Sequence, residues 1–236
     1  MLNAFDDRII WSYWTGDNEM SWERKISLET LKENCECDHR LITLENLDEY
    51  ILEDDPLHEG YQYLSLTHKS DYLRSYFLYH YGGGYSDIKA YDFDWIPYWE
   101  ELEGSDKDFM GSKEVHESHI ASDNFLVRNY FDKLATVRTL IFKPKTEFAK
   151  EWKKRTNDKM DEVLDQLKIQ DGLYHPRATG AGPGVQAGVF GEYGNWPTEY
   201  PVLWNALLGK ILHQLQYENL DSFLLGMPNQ LTQNYR

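Results

Sequence analysis

Lys69-Ser70-Asp71-Tyr72-Leu73-Arg74-Ser75-Tyr76-Phe77-Leu78-Tyr79-His80-Tyr81-Gly82-Gly83-Gly84-Tyr85-Ser86-Asp87 is the stretch from which the fold is read. It joins an acidic and a basic residue, an aromatic run, three glycines and a second carboxylate. Leu66, Leu73, Tyr76, Phe77 and Tyr81 recur at three- and four-residue intervals, which predicts a helix turning one aliphatic and aromatic stripe toward a core. Asp71 and Arg74 then share a face. The glycines end the helix, because glycine enters left-handed backbone without penalty and lets another group come close to the main chain. Tyr85, Ser86 and Asp87 follow as a short strand that presents Asp87 at its far end.

Outward from this unit, the hydrophobic pattern predicts a strand over 8–14, a helix over 21–35, a strand over 39–45, the motif helix over 62–81 and the motif strand over 84–91. Such alternation predicts a Rossmann-like, mostly parallel α/β sheet. Asp92 to Glu103 reads as a loop and short helix, Lys107 to Glu114 as a strand, and Val137 to Pro144 as a strand entering a turn. Beyond Pro144 the chain reads as a helical C-terminal part, with Thr146 to Lys154, Phe148 to Arg155 and Met160 to Ile169 at helical spacing. Arg177-Ala178-Thr179-Gly180-Ala181-Gly182-Pro183-Gly184 cannot hold regular structure and is either a lid or a plain connection. Internal repeats and low-complexity tracts are absent from the sequence.

A length of 236 residues suits one α/β domain over 1–236, without a linker. The 15% aromatic content, with 17 Tyr and 8 Trp, suits sugar and nucleotide sites, since amphipathic rings stack on apolar faces, although core packing accounts for most of them. A net charge of −16 argues against nucleic acid or an anionic membrane as partner, so phosphates would need a local basic pocket. Cys35 and Cys37 stand too close for an ordinary structural disulfide, and the chain has no second pair to complete a zinc site. With no apolar run of about 18 residues and no charged-then-apolar leader, the expectation is a cytoplasmic protein without a transmembrane segment.

The pattern Ser70-Asp71-x-x-Arg74, then Leu78-Tyr79-x-Tyr81-Gly82-Gly83-x-Tyr85-x-Asp87, resembles the DXD-containing sugar-binding region of glycosyltransferases. It is most similar to the capsular polysaccharide synthesis protein group and its relatives in glycosyltransferase family 32. The resemblance extends at lower specificity to Ile9-Ile10-Trp11 and to Tyr200 to His213, which is similar to a closing helix with a late histidine. It implies a GT-A-type fold and a hexosyltransferase that moves a sugar from a nucleotide-sugar donor to a glycan acceptor hydroxyl, with retention, in polysaccharide or glycan synthesis. By the same resemblance Asp71 and Arg74 hold the donor's ribose and sugar, Asp87 faces the diphosphate, and Gly82, Gly83 and Tyr85 complete the donor site. Trp11, with Tyr13 beside it, would stack on the base, or else is a core tryptophan. Arg74, Asp87 and Lys89 are the expected catalytic residues, and Mn²⁺ or Mg²⁺ the expected cofactor.

Two departures qualify that expectation. Lys89 stands where a DXD motif has its second carboxylate, and an ammonium there repels a divalent cation. Asp87 with Asp92, Asp94 or His213 could still hold a metal; Lys89 could instead neutralise the leaving phosphate, or point to solvent. Val137 stands where related sequences carry an asparagine near the sugar, so Asp123 and Asn124 are candidates for that contact, or else mark a loop turn. Two other readings remain: a non-catalytic nucleotide-sugar or carbohydrate-binding module with a degenerate motif, and a hydrolase built on paired carboxylates.

Overall fold

Side chains two apart on a strand share a face, and β1 (Ile9–Trp14) uses both of its faces. Ile9, Trp11 and Tyr13 enter one core layer and Ile10 the other. The same division holds on β5 (Ala135–Phe142), where Leu140 and Phe142 face one layer and Ile141 the other, and on β4 (Phe109–Lys113), with Phe109 and Met110. The computed structural model describes residues 2–171 and 200–231, and within them builds one six-stranded sheet covered on both sides. Helices α1 (Trp22–Asn34) and α3 (Ile96–Glu103) cover one face; α2 (Leu66–His80), α5 (Glu147–Ile169) and α6 (Gly209–Glu218) cover the other.

With β2 (Asp38–Thr43), β3 (Gly83–Ser86) and β6 (Phe223–Met227), the strand order is β2-β1-β3-β5-β4-β6. Pairs β1/β2, β1/β3 and β4/β6 are parallel, so the mostly parallel α/β sheet is as expected. β5 is the exception, antiparallel to both β3 and β4. The link from β4 to β5 contains only short turns and α4 (Phe125–Asn129), which do not recross the sheet, so the chain returns in the opposite direction.

Several elements differ from expectation for local reasons. α2 begins at Leu66 rather than 62, because Ser65 Oγ caps it at the His68 N–H and a separate 3-10 turn occupies Glu59–Tyr63. Far from showing one apolar stripe, α2 is buried almost all round, Asp71, Arg74 and Ser75 included. Its Leu73, Phe77 and Leu78 each contribute roughly 1.5–3 kcal/mol of apolar burial. α5 is one helix of 23 residues, since no glycine or proline interrupts it and Glu151–Arg155 and Lys154–Asp158 pair across successive turns. The closing helix begins at Gly209 rather than near Tyr200, whose hydroxyl is drawn to the Ser65 N–H and His68. β6 then rejoins the sheet from within the C-terminal part read as helical. The Arg177 to Gly184 stretch lies outside the described residues.

The glycine turn behaves as its sequence requires. Gly82 and Gly83 have φ of +64° and +91°. A Cβ on Gly82 would come within 2.7 Å of Pro144, and one on Gly83 within 2.6 Å of the Ile9 carbonyl. This turn returns the chain into β3 beside β1, and the order of strands reverses between the two: β1 leads to β2 on one side and, through α2, to β3 on the other. At such switch points, by the carboxyl ends of the strands, α/β folds bind ligands.

Candidate active site

Asp87 follows the last residue of β3, at the carboxyl end of that strand. Its N–H still donates to the Arg138 carbonyl on β5 at 3.0 Å, and the turn back of Lys89 N–H to the Asp87 carbonyl at 2.8 Å ends the strand well before the expected residue 91. On α2, Asp71 and Arg74 lie one turn apart and face the same edge, 4% and 6% exposed. Arg74 Nη2 sits 3.2 Å from Asp71 Oδ1 and 3.3 Å from Asp87 Oδ1, while Nη1 donates to the Val137 carbonyl at 3.0 Å. The guanidinium carbon lies 4.3 Å over the Tyr85 ring, and the Tyr85 hydroxyl donates to Asp87 Oδ1 at 2.8 Å. Lys89 Nζ stands 3.5 Å from Asp87 Oδ2, its side chain 12% exposed. Asp71, Arg74, Asp87 and Lys89 thus form one largely buried, alternately charged row, with Asp87 and Lys89 partly exposed. They are neither a surface pair nor, for Lys89, a side chain in solvent.

The electrostatics follow from that packing. Burial opposes charge on Asp87, but Arg74, Lys89 and the Tyr85 hydrogen bond, with Arg138 beyond, outweigh it and hold the carboxyl below its ordinary range. Burial likewise opposes charge on Arg74, and Tyr85, Asp87 and Asp71 more than offset it. Burial pushes the Tyr13 and Tyr85 phenols well up, so both are neutral donors.

Other expected site residues are placed differently. Trp11 is fully buried: Tyr50, Phe77 and Tyr81 enclose its ring, and its Nε1–H donates to the Gly82 carbonyl at 2.9 Å. No face is left for a base, so it is the core tryptophan. Tyr13 is buried and stacks on Tyr85 at 5.4 Å. Gly82 and Gly83 pack against Pro144, Phe142 and Ile9, and so serve the turn rather than a ligand. Asn124 caps α4 by accepting from the Leu126 N–H, and Asp123 pairs with Lys210 in solvent, which is the loop-turn reading. Val137 enters the site through its carbonyl, which accepts from Arg74 Nη1.

The metal expectation meets a donor set that does not fit it. Asp87 Oδ1 is held by Tyr85 and Arg74, and Oδ2 by Lys89, so a divalent cation there would stand among two fixed cations. Asp92 and Asp94 are exposed, and Asp94 Oδ1 accepts from the Ile96 N–H just before α3. The chain from Tyr91 to Trp95 runs to the far end of α1, with Trp95 N–H on the Cys35 carbonyl, which carries Asp94 away from Asp87. His213 faces Glu114 at 3.9 Å. Among the described residues no group of three or more His, Cys, Asp or Glu side chains is arranged to hold a metal ion.

Sequence reasoning missed the residues that fix the segment after Asp87. Arg24 on α1 donates to the Ile88 carbonyl at 2.9 Å. Gln230, beyond β6, gives its Nε2–H to the Asp87 carbonyl at 3.3 Å and to the Tyr91 hydroxyl, while the Leu231 N–H binds the Ala90 carbonyl. Arg24 is one of several polar residues on α1 that spacing does not tell apart, and only the return of the chain along β6 brings Gln230 there.

Among solved structures, the chain is similar to one described as "PaToxG Glycosyltransferase", with 15% identity and a TM-score of 0.43 over 73% of this chain. It spans 66% of that chain, just under two thirds, and the likeness is too slight to carry an argument. No curated protein matches the sequence. No helix among the described residues is long and apolar enough to cross a membrane. Residues 20–100 match the model of the glycosyltransferase sugar-binding region containing the DXD motif, and Asp71, Arg74, Asp87 and Lys89 all fall inside that span.

Proposed function

We propose that the protein is a GT-A-type glycosyltransferase, a single catalytic domain over 1–236. It moves a hexosyl unit from a nucleotide sugar to a glycan hydroxyl, with retention at the anomeric carbon, in the synthesis of a capsular or related polysaccharide in the cytoplasm. The observation that carries this reading is the convergence of Asp71, Arg74 and Asp87 at the carboxyl edge of β3, inside the span that matches a sugar-binding region. The two aspartates and the arginine offer acceptors and a forked donor for ribose and sugar hydroxyls. As the bond to the diphosphate breaks, negative charge grows on the leaving oxygen. Arg74 and Lys89 are the cations at hand to stabilise it, without a metal in the step.

A thermal-shift screen against UDP, GDP, CMP and dTDP sugars and the free nucleotides tests the reading. A nucleoside diphosphate should raise the melting temperature and the free sugar should not, with about 2.7 kcal/mol of added stability at 100 times the dissociation constant. Absence of any shift at millimolar nucleotide would sink the transferase reading. A shift accompanied by neither transfer nor donor hydrolysis would instead mark a binding module.

A further inference from the structure

Beyond β4, across β5 from Asp87, a second buried carboxylate faces two histidines and an arginine. Glu114 is 3% exposed; His119 Nδ1 lies 3.1 Å and Arg138 Nη2 3.8 Å from its Oε2, while His213 Nε2 lies 3.9 Å from Oε1. The Ala121 N–H donates to His213 Nδ1 at 3.1 Å, which fixes the proton of the neutral ring on Nε2. Burial, aided by the charge of Arg138 and by His119, holds that ring's pKa at about 4, so it is neutral near pH 7. His213 is 1% exposed, and its Nε2 has no hydrogen-bond partner among the described residues.

A buried donor facing a buried carboxylate across 3.9 Å is too far for a hydrogen bond and costly to leave unmade. An oxygen set about 2.8 Å from both atoms subtends roughly 90°, a geometry that a hydroxyl satisfies by accepting from Nε2–H and donating to Oε1. Arg138 links this place to the donor side, since its guanidinium approaches Glu114 while its carbonyl holds the Asp87 N–H. We propose that Glu114 and His213 bind a hydroxyl of the glycan acceptor, with His119, 44% exposed, beside Glu114 on the solvent side. The assignment rests on the transferase reading and supplies its second substrate.

The test measures transfer from the nucleotide sugar that shifts the wild-type melt to methyl α-D-glucopyranoside, methyl α-D-galactopyranoside and methyl α-D-mannopyranoside. In Glu114→Gln the KM for the glycoside should rise about 10- to 100-fold, the effect of losing one hydrogen bond with a charged partner, and in His213→Asn, which keeps an acceptor for the Ala121 N–H, about 3- to 10-fold, the effect of losing a neutral one. The nucleotide-induced melting shift should stay at its wild-type size. A KM within twofold of wild type in the folded variants overturns the hydroxyl site and shows a structural water there, leaving the transferase reading intact. A wild type that neither shifts with nucleotide nor transfers removes both. If the variants do not fold, the ¹⁵N signal of His213 Nε2 in the wild type, with nucleoside diphosphate present, must move on adding the glycosides, and a fixed signal overturns the proposal.

Discussion

Replacing Arg74 by methionine isolates the buried charged row, because methionine keeps most of the side-chain volume and removes the guanidinium. The change leaves Asp71 facing Asp87 with no cation between them, removes the bond to the Val137 carbonyl and uncovers the Tyr85 ring. Breaking a buried ion pair on one side costs about 3–5 kcal/mol, since a desolvated charge is left behind. Asp87 keeps Lys89 and the Tyr85 hydroxyl, which argues for the lower end, about 3 kcal/mol. For a chain of this size that corresponds to a melting temperature lower by roughly 6–12 °C. Urea denaturation followed by circular dichroism reads the stability, and the nucleotide melting shift reads the donor site in the same preparation. Adding Asp87→Asn to Arg74→Met should recover part of the loss, as a neutral amide no longer needs the missing cation. A loss below about 1 kcal/mol for Arg74→Met, the size of a surface pair, would refute the buried row. An undiminished nucleotide shift in that variant would refute its part in donor binding.

The remaining expectations concern metal and protons. Transfer should survive EDTA, and Lys89→Ala should lower kcat by about 100-fold or more while Asp87→Asn is milder, because charge on the leaving diphosphate grows toward the transition state; loss of activity in EDTA with recovery in Mn²⁺ would restore the metal and reverse that order. His39, His80 and His213 are each held at about 4, by burial foremost, against an ordinary 6.5. Between those values the unfolded chain binds protons that the folded chain does not, so stability should fall as pH is lowered from about 6.5 to about 4, by up to about 1.4 kcal/mol per pH unit for each histidine. A melting temperature flat across that window would contradict the neutral, buried placement of all three.

The fold was legible wherever one short-range rule acted alone. The periods of β1, α1 and β4 and the glycine turn follow from side-chain alternation, capping and left-handed backbone, and these elements lie where the sequence puts them. The direction of β5 depended instead on whether the preceding 20 or so residues recross the sheet, a property of three-dimensional path that composition does not carry. Apolar spacing alone suggests a split in α5, but Thr156 to Lys159 contain no helix breaker, so the helix runs through.

The site divides along the same line. Asp71, Arg74 and Asp87 were recognisable because helix, turn and strand are contiguous, so their spacing in the chain fixes their spacing in space. Trp11 misled because a tryptophan on a first strand looks the same whether its ring faces a ligand or, as here, a shell of Tyr50, Phe77 and Tyr81. Lys89 turned on a contact rather than a residue type. As a letter it breaks a carboxylate pair; as a side chain 3.5 Å from Asp87 it balances the row, so that two aspartates face one arginine and one lysine. In a chain of net charge −16, an anionic diphosphate is repelled at long range and must be held by charges within a few ångströms. A balanced row can do this if the donor draws Arg74 and Lys89 away from Asp87, because the carboxylate is the partner they exchange for phosphate. Asp87 would then place the cations while the donor is absent and leave them available to the leaving group, a function for the first carboxylate that does not require the second.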